Sequence, residues 1–210
     1  MASAEDYALA MNTQVPLPAT VQFAPDYAIV TERLALRPFS RGDVDAVYSY
    51  RSREDVSEYL FDQPMTHEEC AEAVRARAGQ IAFSSEGDKI VLAVERRDDA
   101  RLIGEVSLIW RSVSDLQGEI GYIFHPDAHG HGYASEASRA LLAFGFEVMG
   151  LHRVYARCDA LNGGSERVMQ RLGMRKEAHF REHAQFKGRW DEELIYAILE
   201  GEWFAPATSR

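Results

Sequence analysis

Apolar and polar residues alternate along several segments of the chain, as they do in half-buried strands. In residues 28–39, Leu34 and Leu36 point to one face and Arg33 and Arg37 to the other, which predicts a first strand. Three further β-rich runs follow, at residues 89–97, 101–111 and 119–125. Short polar turns separate these runs, and this spacing favours antiparallel pairing between neighbours.

Two early segments carry helix signals. Asp43 stands where it can cap a short helix behind the first strand. Thr66 and Glu69 form a capping-box signature, in which each side chain binds the backbone N–H of the other residue. The apolar residues behind Thr66 predict a helix that runs toward Ile81.

The second half of the chain adds two more helices. Apolar residues recur at helical spacing over residues 134–148, and Gly150 ends that pattern. Asn162 is a typical N-cap residue, and Gly173 ends the short amphipathic segment that follows it. The first helix therefore has a stop signal in the sequence, and the second has both a start and a stop signal.

The remaining segments predict strands and complete one domain. These strands lie at residues 152–158, 176–186 and 193–199. The last contains L-I-Y-A-I-L, which is apolar on both faces and therefore predicts a strand in the middle of a covered sheet. We expect a single α/β domain at residues 27–204, a loosely ordered N-terminal arm at 1–26 and a C-terminal tail at 205–210.

Charge and cysteine content narrow the class of protein. The net charge is -10 with a pI near 5.2, which argues against binding to nucleic acid or anionic lipid. It either attracts a cationic partner or only keeps the protein in solution. Two cysteines and no secretory or membrane-spanning pattern lead us to expect reduced thiols and a cytoplasmic location.

The junction at residues 119–137 carries the chemistry, because a strand runs through a glycine-containing loop directly into a helix. Unpaired N–H groups and the helix dipole make such a junction an anion site. Gly130 and Gly132 remove Cβ atoms where a phosphate must approach the backbone. Glycines in such a loop can also serve turn geometry alone, so the pattern by itself is weak.

This junction, E-I-G-Y-I-F-H-P-D-A-H-G-H-G-Y-A-S-E-A, resembles the acyl-CoA-binding segment of the GCN5-related N-acetyltransferase (GNAT) family. The branch that acetylates the N-termini of ribosomal proteins is the most similar. The stretches T-E-R-L-A-L-R-P-F and N-G-G-S-E-R-V-M-Q-R-L-G-M agree in order and spacing. The resemblance implies a mixed, mostly antiparallel sheet of six or seven strands, splayed beside its fourth strand and flanked by about four helices.

The resemblance also implies acetyl-CoA, or another acyl-CoA, as cosubstrate. Its pantetheine arm would lie along the fourth strand and its diphosphate on the loop amides. His129 stands where the family has Gln or Arg, so its help to a phosphate would depend on protonation. The residues at the matching positions are Ile123, Phe124, His125, His129, Gly130, His131, Gly132, Tyr133, Ala134 and Ser135.

The second matching helix supplies further candidates. By resemblance Asn162 binds a pantetheine amide, although an N-cap role alone explains it. Ser165 matches a serine that protonates the departing sulfur in the N-terminal acetylating branch, or it is an ordinary first-turn serine. Met169 stands where many relatives have a Tyr general acid, and it cannot donate a proton. Arg171 and Arg139 could pair with cofactor phosphates or face solvent.

The implied reaction is direct transfer of the acyl group to a primary amine of a peptide N-terminus or a small molecule. Attack needs a neutral amine, so a base is expected. Glu119 and Glu105 are the carboxylates best placed for it, although each could be a solvated strand residue. The missing Tyr acid and clear base favour a low-pKa acceptor such as an α-amino group.

Other interpretations remain open from sequence. Met169 is compatible with a catalytically silent acyl-CoA-binding module, and the donor could be longer, such as succinyl-CoA. His125, His129 and His131 lack the spaced ligand partners of a zinc site, so no metal is expected. The oligomeric state is open, a homodimer included.

Overall fold

The alternating segments form one continuous sheet. The computed structural model describes residues 22–60 and 62–205. Its strands are β1 (Ile29–Val30), β2 (Leu34–Arg37), β3 (Lys89–Arg96), β4 (Leu102–Ser112), β5 (Gln117–Phe124), β6 (Arg153–Asp159), β7 (Arg175–Phe186) and β8 (Arg189–Leu199). They lie in the order β1-β2-β3-β4-β5-β6-β8-β7. The α/β class is confirmed, and the expected count of six or seven strands is corrected to eight.

The additional strand arises within residues 28–39, which we predicted as a single strand. Thr31 donates its backbone N–H to the carbonyl of Leu34 at 2.9 Å, and its hydroxyl accepts the Leu34 N–H at 3.0 Å. These bonds close a tight turn, so β1 folds back antiparallel onto β2. The prediction of one strand is therefore wrong, because the backbone and the hydroxyl of Thr31 bind Leu34 and turn the chain back on itself.

The sheet opens between β5 and β6, the parallel pair among the described strands. Residues 117–119 pair with residues 153–155, and the register ends there. From Ile120 onward β5 diverges from β6, while it stays paired with β4 as far as Phe124. The expected splay beside the family's fourth strand is thus observed at β5. Strand β8 lies between β6 and β7, as its two apolar faces predicted.

Helices cover both faces of this sheet. They are α1 (Val44–Arg51), α2 (Glu54–Ser57), α3 (His67–Arg77), α4 (Tyr133–Ala143), α5 (Gly163–Arg171) and α6 (Glu200–Trp203). A π-helical turn, Phe144–Val148, extends α4, and the 3-10 turns Arg41–Asp43 and Pro126–Ala128 precede α1 and α4. Four of the described helices have eight or more residues, namely α1, α3, α4 and α5.

The predicted caps have mixed outcomes. Thr66 and Glu69 form the expected capping box, with Glu69 Oε2 accepting the Thr66 N–H at 2.7 Å. Helix α3 ends at Arg77, short of the predicted Ile81. Asp43 stands at the N-cap of α1, but its carboxylate binds Arg37 at 2.8 Å instead of the helix amides. An available guanidinium forms a stronger, charge-assisted bond than a helix amide does.

Two apolar cores, one on each sheet face, hold the strands in place. Leu108 and Ile120 point toward α4 and pack with Leu141, whereas Val91 points to the other face and packs with Val47 of α1. Burial of each such side chain contributes about 1.5–3 kcal/mol. Packed helices therefore support the strands on both faces of the sheet.

The ends of the chain lie partly outside the described residues. The predicted arm begins with residues 1–21 and the predicted tail ends with 206–210, which are not among them. Phe23, within the predicted arm, pairs with Phe83 through two backbone hydrogen bonds and packs edge-on against Trp110. Within residues 22–60 and 62–205, no helix combines the length and the hydrophobicity needed to cross a bilayer.

Candidate active site

A cavity of about 530 Å³ fills the gap where β5 and β6 diverge. Strand β5 forms one wall, the loop before α4 and the start of α5 form others, and α2 closes the remaining side. The predicted cofactor residues that line it are Ile123, Phe124, His129, Gly130, Gly132, Tyr133, Ala134, Ser135, Asn162, Ser165 and Arg171. Tertiary structure thus brings two distant sequence segments, at 123–135 and 162–171, to one cleft.

The floor of the cavity presents unpaired backbone N–H groups. Gly130 and Gly132 both have φ near 80°, a left-handed conformation that favours glycine. Gly132 is the N-cap of α4 and supplies no side-chain cap. The amides of residues 130–135 have no acceptor within the described part of the chain. The hydroxyl of Ser135 is buried there and also has no partner among the described residues, so the loop presents several free hydrogen-bond donors to the cavity.

The turn between β1 and β2 anchors this loop. The Arg33 guanidinium binds Glu136 in the first turn of α4 and donates to the carbonyl of His131 at 2.9 Å. Thr31 donates its hydroxyl to Glu136 at 2.6 Å. Partial burial raises the pKa of Glu136, but the hydrogen bonds from Thr31 and Arg33 outweigh it and hold the pKa below its usual value. Glu136 therefore stays ionised and fixes the loop.

The three loop histidines lie in different environments. His129 lines the cavity, with Nε2 at 3.2 Å from the carbonyl of Phe124. His125 is buried outside the cavity lining, and its Nδ1 accepts the Asp127 N–H at 3.1 Å. Burial lowers the pKa of His125, so the ring is neutral at pH 7. His131 also lies outside the lining and contacts Tyr133. Among the described residues, no cluster of His, Cys, Asp or Glu could hold a metal ion.

Helix α5 contributes the opposite wall. Asn162 caps it, with Oδ1 accepting the Ser165 N–H at 2.9 Å, and the same residue lines the cavity. The amide nitrogen of Asn162 is thereby left for another partner. Arg171 lines the cavity, whereas Arg139 donates to the Arg171 carbonyl at 3.0 Å and does not. Arg167, which sequence reasoning missed, also lines it.

A second cavity of about 210 Å³ meets the first from the other side of the sheet. Glu105, Ser107 and Gly121 line it on the face that β4 and β5 share. A Cβ atom at position 121 would lie 2.9 Å from the Ser107 hydroxyl, so the glycine keeps this space open. The residues common to both cavities are Leu60, Tyr122, Ile123, Arg157 and Ser165.

At this junction two hydroxyl groups and a thiol converge. The Tyr122 phenol lies 2.9 Å from the Ser165 hydroxyl and 3.0 Å from the Ser165 carbonyl. Cys158 lies beside Ser165, and burial raises the pKa of its thiol to about 11. Met169 is fully buried in the core and does not line either cavity. The hydroxyl of Ser165, and not the side chain at position 169, therefore faces the cleft.

The two candidate carboxylates occupy different places. Glu105 lines the second cavity, is 5% exposed and accepts hydrogen bonds from Tyr50 at 3.0 Å and from Arg77 at 3.0 Å. Glu119 lines neither cavity, and its oxygens bind Arg111 at 2.6 Å and Arg157 at 3.1 Å. Of these two carboxylates, Glu105 is thus the one that lines a cavity.

Sequence reasoning missed several cavity residues. Helix α2 supplies Asp55 and Val56, and the turn after it supplies Tyr59 and Leu60; none of these lies in a recognisable motif. Tyr122 has a usable signal, because strand alternation places it on the same face as Phe124.

Known proteins share this architecture. A sequence model of a family described as "Acetyltransferase (GNAT) domain" matches residues 33–175. The uncharacterized N-acetyltransferase YnaD of Bacillus subtilis is 38% identical over 175 residues, covering 83% of this chain and 98% of that protein. A GNAT-family acetyltransferase from Bacillus anthracis has a crystal structure with TM-score 0.73 and 34% identity, covering 82% of this chain and 98% of that one.

A similar fold also occurs in a spermidine N-acetyltransferase from Vibrio cholerae, solved in complex with CoA and spermine. It has a TM-score of 0.70 at 22% identity, and the match covers 83% of this chain and 100% of that one. This identity supports likeness of fold alone.

Proposed function

This chain belongs to the GNAT family of acetyl-CoA-dependent acetyltransferases, and from that premise we propose that a primary amine attacks the thioester directly. The observation that carries the proposal is the meeting of two cavities at Ser165 and Tyr122. The larger cavity accommodates the cofactor and the smaller one an acceptor. The thioester carbonyl then lies between them, where both reactants are held close together.

The larger cavity fits the chemistry of coenzyme A. The free amides of residues 130–135 and the unpaired Ser135 hydroxyl suit a diphosphate. The edge of β5 from Ile120 to Phe124 has no strand partner on the β6 side, so a pantetheine amide can pair with it as an added strand would. When bound, acetyl-CoA supplies the acyl group as a thioester.

Direct attack is favoured over a covalent intermediate on Cys158, the cysteine of the cleft. Only a thiolate is an effective nucleophile, and with a pKa of about 11 roughly one thiol in ten thousand is ionised at pH 7. No charge partner in the cleft lowers that pKa enough to activate it, because burial dominates. The amine itself is therefore the nucleophile that we propose.

Glu105 is the carboxylate that we propose to receive the amine proton, directly or through water, because it lines the second cavity. A lysine-like amine is neutral in about one molecule in a few thousand at pH 7, so a nearby acceptor of the proton helps. Glu119 remains the weaker candidate, since it lines neither cavity.

The acceptor is either a small-molecule amine or a peptide α-amino group. The net charge of -10 favours a cationic molecule in either class. The spermidine N-acetyltransferase with a similar fold supports the small-molecule class. The reaction class does not depend on this choice, because both acceptors present a primary amine.

Free-thiol release from acetyl-CoA tests the proposal. The panel should contain spermidine, spermine, amino acid amides and short peptides with free N-termini, and mass spectrometry should locate the added acetyl group. Succinyl-CoA as a second donor tests the acyl preference. Tight coenzyme A binding in calorimetry, without thiol release on any acceptor, would contradict the proposal and favour a silent binding module.

A further inference from the structure

The junction of the two cavities contains a pair of hydroxyl groups from distant parts of the chain. Tyr122 lies on β5, and Ser165 lies in the first turn of α5. Their oxygens are 2.9 Å apart, and both residues line both cavities. An acyl group that passes from cofactor to acceptor must pass beside this pair.

The phenol remains a hydrogen-bond donor under all ordinary conditions. Burial raises the pKa of Tyr122 well above its usual value of about 10, so the phenol is neutral at any working pH. A tyrosine that keeps its proton is a dependable donor that can orient a neighbouring group.

The phenol has one proton and two possible acceptors. It reaches the Ser165 carbonyl at 3.0 Å and the Ser165 hydroxyl at 2.9 Å. If it donates to the carbonyl, the serine proton can point back to the phenol oxygen. If it donates to the hydroxyl, that interaction is lost and the serine proton is free to point into the cleft.

We propose that Tyr122 is a positioning residue that directs the hydroxyl proton of Ser165 toward the departing sulfur of coenzyme A. The proposal rests on the acetyl transfer proposed above. The amine nitrogen forms a bond to the thioester carbon, and the carbon–sulfur bond breaks. The Ser165 hydroxyl relays the proton: as it gives its own proton to the sulfur, it takes up the proton that the amine loses to Glu105, passed on through water. No oxidant, reductant or further reactant is needed.

This pair supplies the proton donor that position 169 lacks. Met169 is fully buried and has no proton to give. The thiol of Cys158 also lies beside Ser165, but Cys158 lines only the larger cavity and not the junction of the two. Among the described residues that line both cavities, Ser165 and Tyr122 are the hydroxyl-bearing ones.

The test compares kcat and KM for Tyr122→Phe, Ser165→Ala and the double variant. We expect Tyr122→Phe to lower kcat about tenfold and Ser165→Ala to lower it at least tenfold, with KM for acetyl-CoA nearly unchanged. Because the two residues act on one proton, the double variant should be no slower than Ser165→Ala. The solvent deuterium isotope effect on kcat should change in both single variants.

Tyr196→Phe is the matched control. Tyr196 donates its phenol proton at 2.5 Å to Glu166, which follows Ser165 on α5, but Tyr196 lines neither cavity. Like Tyr122→Phe, this variant loses a partly buried phenol hydrogen bond, so it measures the structural cost of such a loss. We expect its kcat and isotope effect to match those of the wild type.

Three results would overturn the proposal. One is a Tyr122→Phe enzyme with kcat and isotope effect like those of Tyr196→Phe. Another is a double variant whose losses multiply. The third is a Tyr122→Phe loss that lies wholly in KM, with weaker coenzyme A binding in calorimetry. Absence of thiol release by the wild type would instead overturn the acetyl transfer itself, and this inference with it.

Discussion

Arg33 and Glu136 form an ion pair with Nη2 and Oε2 at 2.6 Å, although 103 residues separate them in sequence. Arg33 lies in the turn between β1 and β2, and Glu136 lies in the first turn of α4. The same guanidinium also covers the ring of Tyr133 at 4.7 Å. The start of the sheet thus holds the loop whose amides we propose to receive the cofactor phosphates.

Replacement of Arg33 by Ala should weaken coenzyme A binding about threefold to tenfold, because the loop loses an ion pair and a carbonyl bond. Turnover at saturating acetyl-CoA should change little. Calorimetry with coenzyme A measures the effect. Arg175→Ala is the control, since it breaks the exposed ion pair with Glu202 away from the cleft. Equal binding by both variants would argue against the anchoring role.

Replacement of Gly132 by Ala should reduce affinity for coenzyme A more than it reduces stability. Alanine at φ 80° costs about 1–2 kcal/mol, and here the relief of that strain moves the first-turn amides. Gly150→Ala is the matched control, because Gly150 has φ 66° and open space around it, and it lies outside the cavity lining. Both variants should lower Tm similarly, but only Gly132→Ala should raise KM for acetyl-CoA.

Replacement of Cys158 by Ala should leave turnover within a few-fold of the wild type, because the thiol takes no part in direct transfer. Alkylation of Cys158 should be slow at pH 7 and accelerate steeply toward pH 10, as a thiol pKa of about 11 requires. Mass spectrometry with iodoacetamide follows this reaction. Detection of an acetylated Cys158 during turnover would contradict direct attack.

Replacement of Glu105 by Gln should lower kcat with an amine acceptor while coenzyme A binding persists. Glu119→Gln is the paired variant, since each change removes one ion-paired carboxylate of a buried network. Both should lower Tm, but only Glu105→Gln should lower kcat, because Glu105 alone of the two lines the acceptor cavity. A larger kcat loss in Glu119→Gln would reassign the base.

Replacement of Asp191 by Asn should stabilise the protein at neutral pH. Burial and the neighbouring Asp159 raise the pKa of Asp191, so the folded state holds this proton more tightly than the unfolded chain. That contribution is complete below the unfolded pKa of about 3.9 and is lost as pH rises through the folded pKa. The gain in Tm should therefore be larger at pH 7.5 than at pH 4.

Asp88→Asn should behave in the opposite way. The backbone N–H groups of Ser84 and Ser85 lower the pKa of Asp88, so its stabilisation is present above the unfolded pKa and is lost as pH falls through the folded pKa. This variant should lower Tm at pH 7.5 and matter less toward acid pH. Thermal unfolding at both pH values tests the pair, and the same pH trend in both would contradict these assignments.

The sequence alone determined the features that depend on neighbours in the chain. Alternation located the strands, and Thr66 and Asn162 capped their helices as expected. The glycine loop and the start of α4 were predictable because left-handed glycines and free first-turn amides are local properties. The same locality misled at residues 28–39, where the bonds of Thr31 broke one strand into two.

Only the tertiary structure decided which distant groups meet. Sheet order placed Tyr122 against Ser165, 43 residues away. The pairing of β4 with β5 put Glu105 in the lining of one cavity, whereas Glu119, bound by Arg111 and Arg157, lines neither. Helix α2 lines the cavity although no sequence motif indicates this position. Side-chain distances across a sheet follow from packing of the whole chain, which no local pattern encodes.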